Sequence, residues 1–196
     1  MKLLKKLSAT IIALSISTAV MAEVDSQHVV GLQVGGGGLE YKGESTDGRG
    51  TAQAYLYYNY KFMPQYYLEV GLSSGADADW DCERDSHNKW QCDTDDHKFD
   101  LEADDFKYTA LVIAMKTDLA LSERNSLYGK IGVSYYDYSV DLNKNKIADK
   151  NGVGFVAEAG WEYRWDNGMG MNAGMQYQDM GDLEMKTLNV GINYAF

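Results

Sequence analysis

Between Gly75 and Asp105 the chain gathers twelve acidic side chains, its only two cysteines and two tryptophans. Asp77, Asp79, Asp81, Glu83, Asp85, Asp93, Asp95, Asp96, Asp100, Glu102, Asp104 and Asp105 stand against Arg84, Lys89 and Lys98, a balance of −9. Clusters this rich in oxygen attract hard divalent cations, so calcium or magnesium is the metal to expect, with Asp93, Asp95 and Asp96 among the ligands. The plainer reading is a solvated, self-repelling surface loop. Outside the cytoplasm Cys82 and Cys92 would pair, and so short a loop adds about 3 kcal/mol or less. Trp80 and Trp90 each precede a cysteine by two residues. A turn near His87-Asn88 would set Cys82 opposite Cys92 on a projecting hairpin, with both tryptophans offered to a surface ligand. Metal ligation by Cys82, Cys92, His87 and His97 is the alternative.

Asp141, Asn143, Asn145 and Asp149 imitate the start of a calcium loop. Lys146 replaces the turn glycine and Gly152 the bidentate glutamate, so a plain loop is the better reading. An enzyme would need a nucleophile, a base and an orienting group together. His28, His87 and His97 are the only histidines. Neither Ser134 nor Ser139 has a histidine on a neighbouring strand, so no catalytic residues are expected.

Residues 1–22 read as a secretory signal peptide: Lys2, Lys5 and Lys6, then the apolar run Ile11–Val20, then Val20-Met21-Ala22. Removing them takes the net charge from −11 to about −14 and leaves one domain, 23–196. Such acidity argues against nucleic acid as a partner, and none is expected.

These residues must be positioned by strands. Leu188, Val190, Ile192, Tyr194 and Phe196 alternate with Thr187, Asn189, Gly191, Asn193 and Ala195, giving one apolar face and one polar or small face. The same period recurs, predicting eight strands near 29–41, 51–62, 66–74, 106–119, 127–140, 152–165, 169–178 and 186–196. Short turns fall at 63–65, 121–126 and 166–168, the last on Asp166-Asn167-Gly168. Loops fall at 42–50, 75–105, 141–151 and 179–184. This alternation fits an all-β, eight-stranded antiparallel up-and-down barrel that crosses a membrane, with short turns and both chain ends in the periplasm.

Lys61, Glu69, Lys116, Asp118, Lys130, Glu158, Glu162 and Arg164 all fall on the polar face. A charge facing lipid near the bilayer centre costs about 2–4 kcal/mol, so their absence from the apolar face is informative. Four of each sign, they could pair across a narrow lumen. A soluble barrel would reverse the faces, yet the sixth strand alone carries Phe155, Trp161, Tyr163 and Trp165 on its apolar side, too many to fit inside. Tyr60, Phe62, Tyr66, Tyr163, Trp165, Tyr194 and Phe196 predict an aromatic girdle at the short-turn end, and Tyr41, Phe106, Tyr135 and Tyr177 one at the loop end.

The leader, the eight-strand pattern and the ending Asn193-Tyr194-Ala195-Phe196 resemble the small outer-membrane barrels of Gram-negative bacteria, the OmpA membrane-domain and OmpX-like, porin-family proteins. The resemblance implies insertion in the outer membrane among lipopolysaccharide. It also implies a monomer, and handling by the barrel-assembly machinery through Tyr194 and Phe196. Members act as adhesins, envelope structures, narrow channels or lipid-A-modifying enzymes. The expectation is a non-enzymatic barrel showing acidic loops to a host or surface ligand, without a cofactor unless calcium or magnesium joins the loops. The alternative is a narrow channel: Gly132, Gly154, Gly160, Gly170 and Gly174 would leave room for water, and Lys61, Glu69, Lys130, Glu158 and Arg164 would gate it.

Overall fold

The computed structural model describes residues 26–41, 44–78, 82–84, 90–92, 105–142 and 145–196. The expected leader lies outside them. Eight strands close a barrel: β1 (His28–Tyr41), β2 (Glu44–Met63), β3 (Tyr66–Ala78), β6 (Asp105–Ala120), β7 (Asn125–Leu142), β8 (Asn145–Arg164), β9 (Met169–Asp179) and β10 (Leu183–Ala195). β4 (Cys82–Arg84) and β5 (Trp90–Cys92) pair apart from it. Chain neighbours pair antiparallel all round, and β1 closes on β10 from Val29↔Ala195 to Tyr41↔Leu183. No described edge strand of the barrel is left with unpaired backbone, which a lipid-immersed sheet requires.

Two loop expectations are corrected. β2 begins at Glu44 rather than 51, and β7 and β8 run to Leu142 and from Asn145 rather than leaving a loop at 141–151. Gly, Asp, Asn and Lys gave these segments the composition of loops. Cross-strand hydrogen bonding overrides that weak local preference, and paired arms can continue beyond the bilayer. Register shifts between Gly38 and Glu40 and between Val140 and Asp141 mark where the arms leave the barrel's regular ladder.

The short turns lie where expected. Gly168 adopts φ +85°, its N–H bonds Trp165 O at 3.1 Å, and Trp165 N–H bonds Met169 O at 2.8 Å. Along the strands burial alternates with period two. Leu188, Val190 and Ile192 face out at 59–70% exposure, while Thr187, Asn189 and Asn193 are buried.

Candidate functional site: a filled lumen and an acidic outer end

Among the expected inner charges, Glu69, Lys116, Asp118, Lys130, Glu158, Glu162 and Arg164 pair with one another inside the barrel. Lys130 Nζ lies 2.9 Å from Glu69 Oε1 and 2.5 Å from Glu158 Oε2, all three nearly inaccessible. Tyr55 OH donates to Glu69 at 2.6 Å, and Tyr128 OH to Glu158 at 2.5 Å. Gln33 Nε2 adds a third donor to Glu158 at 2.9 Å. Nearer the short turns, Lys116 Nζ meets Glu162 at 2.9 Å and Asp118 at 3.2 Å, and Arg164 pairs with Glu162. Arg164 also donates to Gly168 O at 3.3 Å, tying this cluster to the turn below it. Lys61 is half-buried on the same face. Buried ions are tolerated only when paired and hydrogen-bonded in this way.

Above the charges lies a layer of amides. Gln53 Nε2 donates to Thr187 Oγ1 and Asn189 Oδ1, both at 2.8 Å, and Gln53 Oε1 accepts from Tyr108 OH at 2.6 Å. Asn189 in turn donates to Gln176 at 3.1 Å. Above the amides, at the outer end, the lumen turns apolar: Leu39, Phe106, Tyr138, Met180, Leu183 and Met185 are at most 5% exposed. The β9–β10 turn folds Met180 inward, with Met180 N–H bonding Leu183 O at 2.7 Å and Gly181 at φ +79°. Lys150 pairs with Asp182 on the rim of this turn.

The apolar storey was missed in the sequence. Phe106 was expected in the outer girdle, yet it is wholly buried. It shares the inward parity of Tyr108, Ala110, Val112 and Ala114 on β6, so strict alternation from Leu111 and Ile113 would have placed it correctly. Its partners at the loop end differ: Tyr135 faces out, and the Tyr41 side chain lies outside the described residues. At the short-turn end Tyr60, Phe62, Tyr66, Trp165, Tyr194 and Phe196 are exposed outward as expected.

The expectation that inner glycines leave room for water is also corrected. A Cβ at Gly160 would meet a backbone oxygen at 2.4 Å and the Tyr128 ring at 2.7 Å, and one at Gly174 would meet Tyr128 OH at 2.5 Å. A Cβ at Gly154 or Gly132 would likewise run into a backbone oxygen, at 1.9 or 2.3 Å, and one at Gly170 would meet Asn193 Oδ1 at 2.4 Å. Gly71 and Gly31 receive the rings of Tyr55 and Tyr57 in the same way. These glycines bring backbone and rings into contact instead of opening a bore. What remains among the charges is a cavity of about 10 Å³ beside Gln33, Asn59 and Glu69, about the size of one water.

The acidic segment leaves the outer end between β3 and β6. β4 and β5 pair there with Cys82 opposite Cys92, Glu83 opposite Gln91 and Arg84 opposite Trp90, the hairpin register expected from the spacing. Trp80, Asp93, Asp95 and Asp96 lie outside the described residues, as do His87, His97 and Asn143. The side chains of Cys82, Trp90, Cys92, Asp141 and Asn145 also lie outside them. Asp149 is exposed on β8 opposite Ser139. His28 sits at the short-turn rim against Tyr58, Tyr60 and Phe196, its Nδ1 2.7 Å from Tyr58 OH, far along the barrel from the acidic end.

A family described as outer membrane protein beta-barrel domain matches residues 8–196. The chain belongs to this family. Its barrel therefore resides in the outer membrane of a Gram-negative bacterium, as the apolar wall and filled polar lumen require. The fold is similar to that of Neisserial surface protein A (14% identity, TM-score 0.63, covering 87% of this chain and 98% of that one). It is also similar to Ail, the attachment invasion locus protein of Yersinia pestis, in complex with the heparin analogue sucrose octasulfate (16%, 0.57, 88% and 100%). OprG of Pseudomonas aeruginosa is a third neighbour (13%, 0.53, 87% and 96%). No curated protein sequence matches the chain.

Proposed function

We propose that this barrel is a non-enzymatic surface-display protein whose working part is the acidic segment between β3 and β6. The carrying observation is the division of labour along the barrel axis. The lumen is packed from the short turns to the apolar storey, while residues 75–105, which run from the outer end of β3 to the start of β6, carry a charge excess of −9. A segment so charged steers positively charged partner surfaces toward it, and that attraction weakens with salt. The sulfated ligand bound by Ail has the opposite charge preference, so the partner class here is basic rather than sulfated. A Cys82–Cys92 disulfide would stiffen the β4–β5 hairpin and hold Trp80 and Trp90 beside it. The same carboxylates would bind calcium or magnesium bridging to lipopolysaccharide phosphates.

Deleting residues 80–100 tests this. The deleted barrel should still change gel mobility on boiling, as a folded barrel does. Adhesion of cells displaying it to an epithelial monolayer should be lost, and adhesion by the intact chain should fall as salt rises. Adhesion that survives the deletion contradicts the proposal. In planar bilayers the intact protein should be silent, with Glu158→Gln no different; discrete conductance steps would favour a channel.

A further inference from the structure

We propose that the outer wall seats one molecule of the phosphorylated glycolipid of the outer leaflet, lipid A, in a furrow ending at Lys107, Thr109, Asp137 and Ser139. This rests on the membrane location and not on the adhesion reading. Two rows of outward residues cross the wall in register. In one, Leu188, Gly36, Ala52, Ala76, Lys107 and Ser139 stand opposite one another in turn. In the other, two residues nearer the short turns, the series is Val190, Val34, Ala54, Ser74, Thr109 and Asp137. The floor is small, and the result is a concavity of about 980 Å³ bounded at one end by Val34, Leu188 and Val190. Ser74 Oγ donates to Tyr108 O at 3.3 Å, so its polarity is absorbed by the wall and the floor remains apolar.

The furrow is shaped for an amphiphile. Rows along the hydrogen-bond direction climb a tilted barrel wall, and five steps of about 4.8 Å give a bed about 24 Å long. The two rows are two residues apart, about 7 Å, wider than a single hydrocarbon chain. The polar end lies at the outer interface. Thr117 on β6 stands opposite Tyr66 of the short-turn girdle, and Lys107 is ten residues further along. At about 3.4 Å per residue and about 40° of tilt this is about 25 Å, the height of the apolar band.

The headgroup chemistry selects among outer-membrane lipids. The Lys107 ammonium suits a phosphate, while the Thr109 and Ser139 hydroxyls and the Asp137 carboxylate suit sugar hydroxyls and amide N–H groups. A simple anionic phospholipid would bring its phosphate to Lys107 but also place it beside Asp137. A phosphorylated disaccharide with several acyl chains uses the whole constellation.

Native mass spectrometry of the detergent-solubilised, folded barrel, offered hexa-acylated lipid A or phosphatidylglycerol, tests the seat. The intact protein should retain one lipid A. Filling the furrow with Ala52→Leu and Ala76→Leu should lower retention at least tenfold, as should Lys107→Glu. Ala173→Leu, the same enlargement on the outward face of β9, should change nothing. The acidic-segment deletion should bind as the intact chain does. Lys107→Glu lies at the rim, outside the apolar band, so it decides the matter even if the furrow-filled variant misfolds. Undiminished retention by Lys107→Glu overturns the proposal, and so does phosphatidylglycerol held as tightly as lipid A.

Discussion

Lys130 holds the densest set of buried charges, two carboxylates against one ammonium, with its Nζ also 4.4 Å above the Tyr55 ring. Taking the ammonium away leaves two buried anions facing each other. Lys130→Met should therefore cost about 3–5 kcal/mol, read from the urea midpoint of the refolded barrel. Neutralising Glu69 and Glu158 as well, both to Gln, should recover most of that loss. An unchanged midpoint for Lys130→Met would mean that water reaches these groups. The eight inward charges were legible in the sequence because period-two alternation assigns each position a face. Their particular partners were not, since those depend on how strands distant in sequence are staggered. Lys116 finds Glu162, 46 residues away, only because β6, β7 and β8 are in register.

At the scale of the elements, hydrophobic alternation placed the lipid-crossing part of all eight barrel strands, and short turns such as Asp166-Asn167-Gly168 fell where backbone chemistry put them. The arms outside the bilayer were hidden. Residues 141–142 and 145–149 include turn-forming types, and only the pairing of β7 with β8 makes them strand. The inward Tyr–Gly contacts were hidden too, because a glycine looks like empty space until its neighbour across the strands is known. The β1–β10 seam adds a local clasp: His28 and Phe196 exchange backbone hydrogen bonds at 3.2 and 2.8 Å, and their rings stack at 5.6 Å. Phe196→Ala removes the ring and keeps the backbone pair. It should lower stability by about 1 kcal/mol and slow insertion into vesicles. A variant that inserts and unfolds like the parent would show that the clasp is incidental.

On the scale of the whole molecule, the barrel is layered along its axis, with charges near the periplasmic turns, amides above them and an apolar storey beneath the outer rim. Lipid covers the sides, so the dry surface faces outward, the inverse of a soluble barrel. Spin labels at positions 187 to 193 of β10, one at a time, in a background with Cys82 and Cys92 replaced by Ser, test this inversion most directly. Reconstituted in vesicles, labels at 188, 190 and 192 should be relaxed strongly by oxygen dissolved in the bilayer. Labels at 187, 189 and 193 should be shielded from it. Absence of the alternation, or its reversal, would contradict a lipid-facing wall around a filled polar lumen.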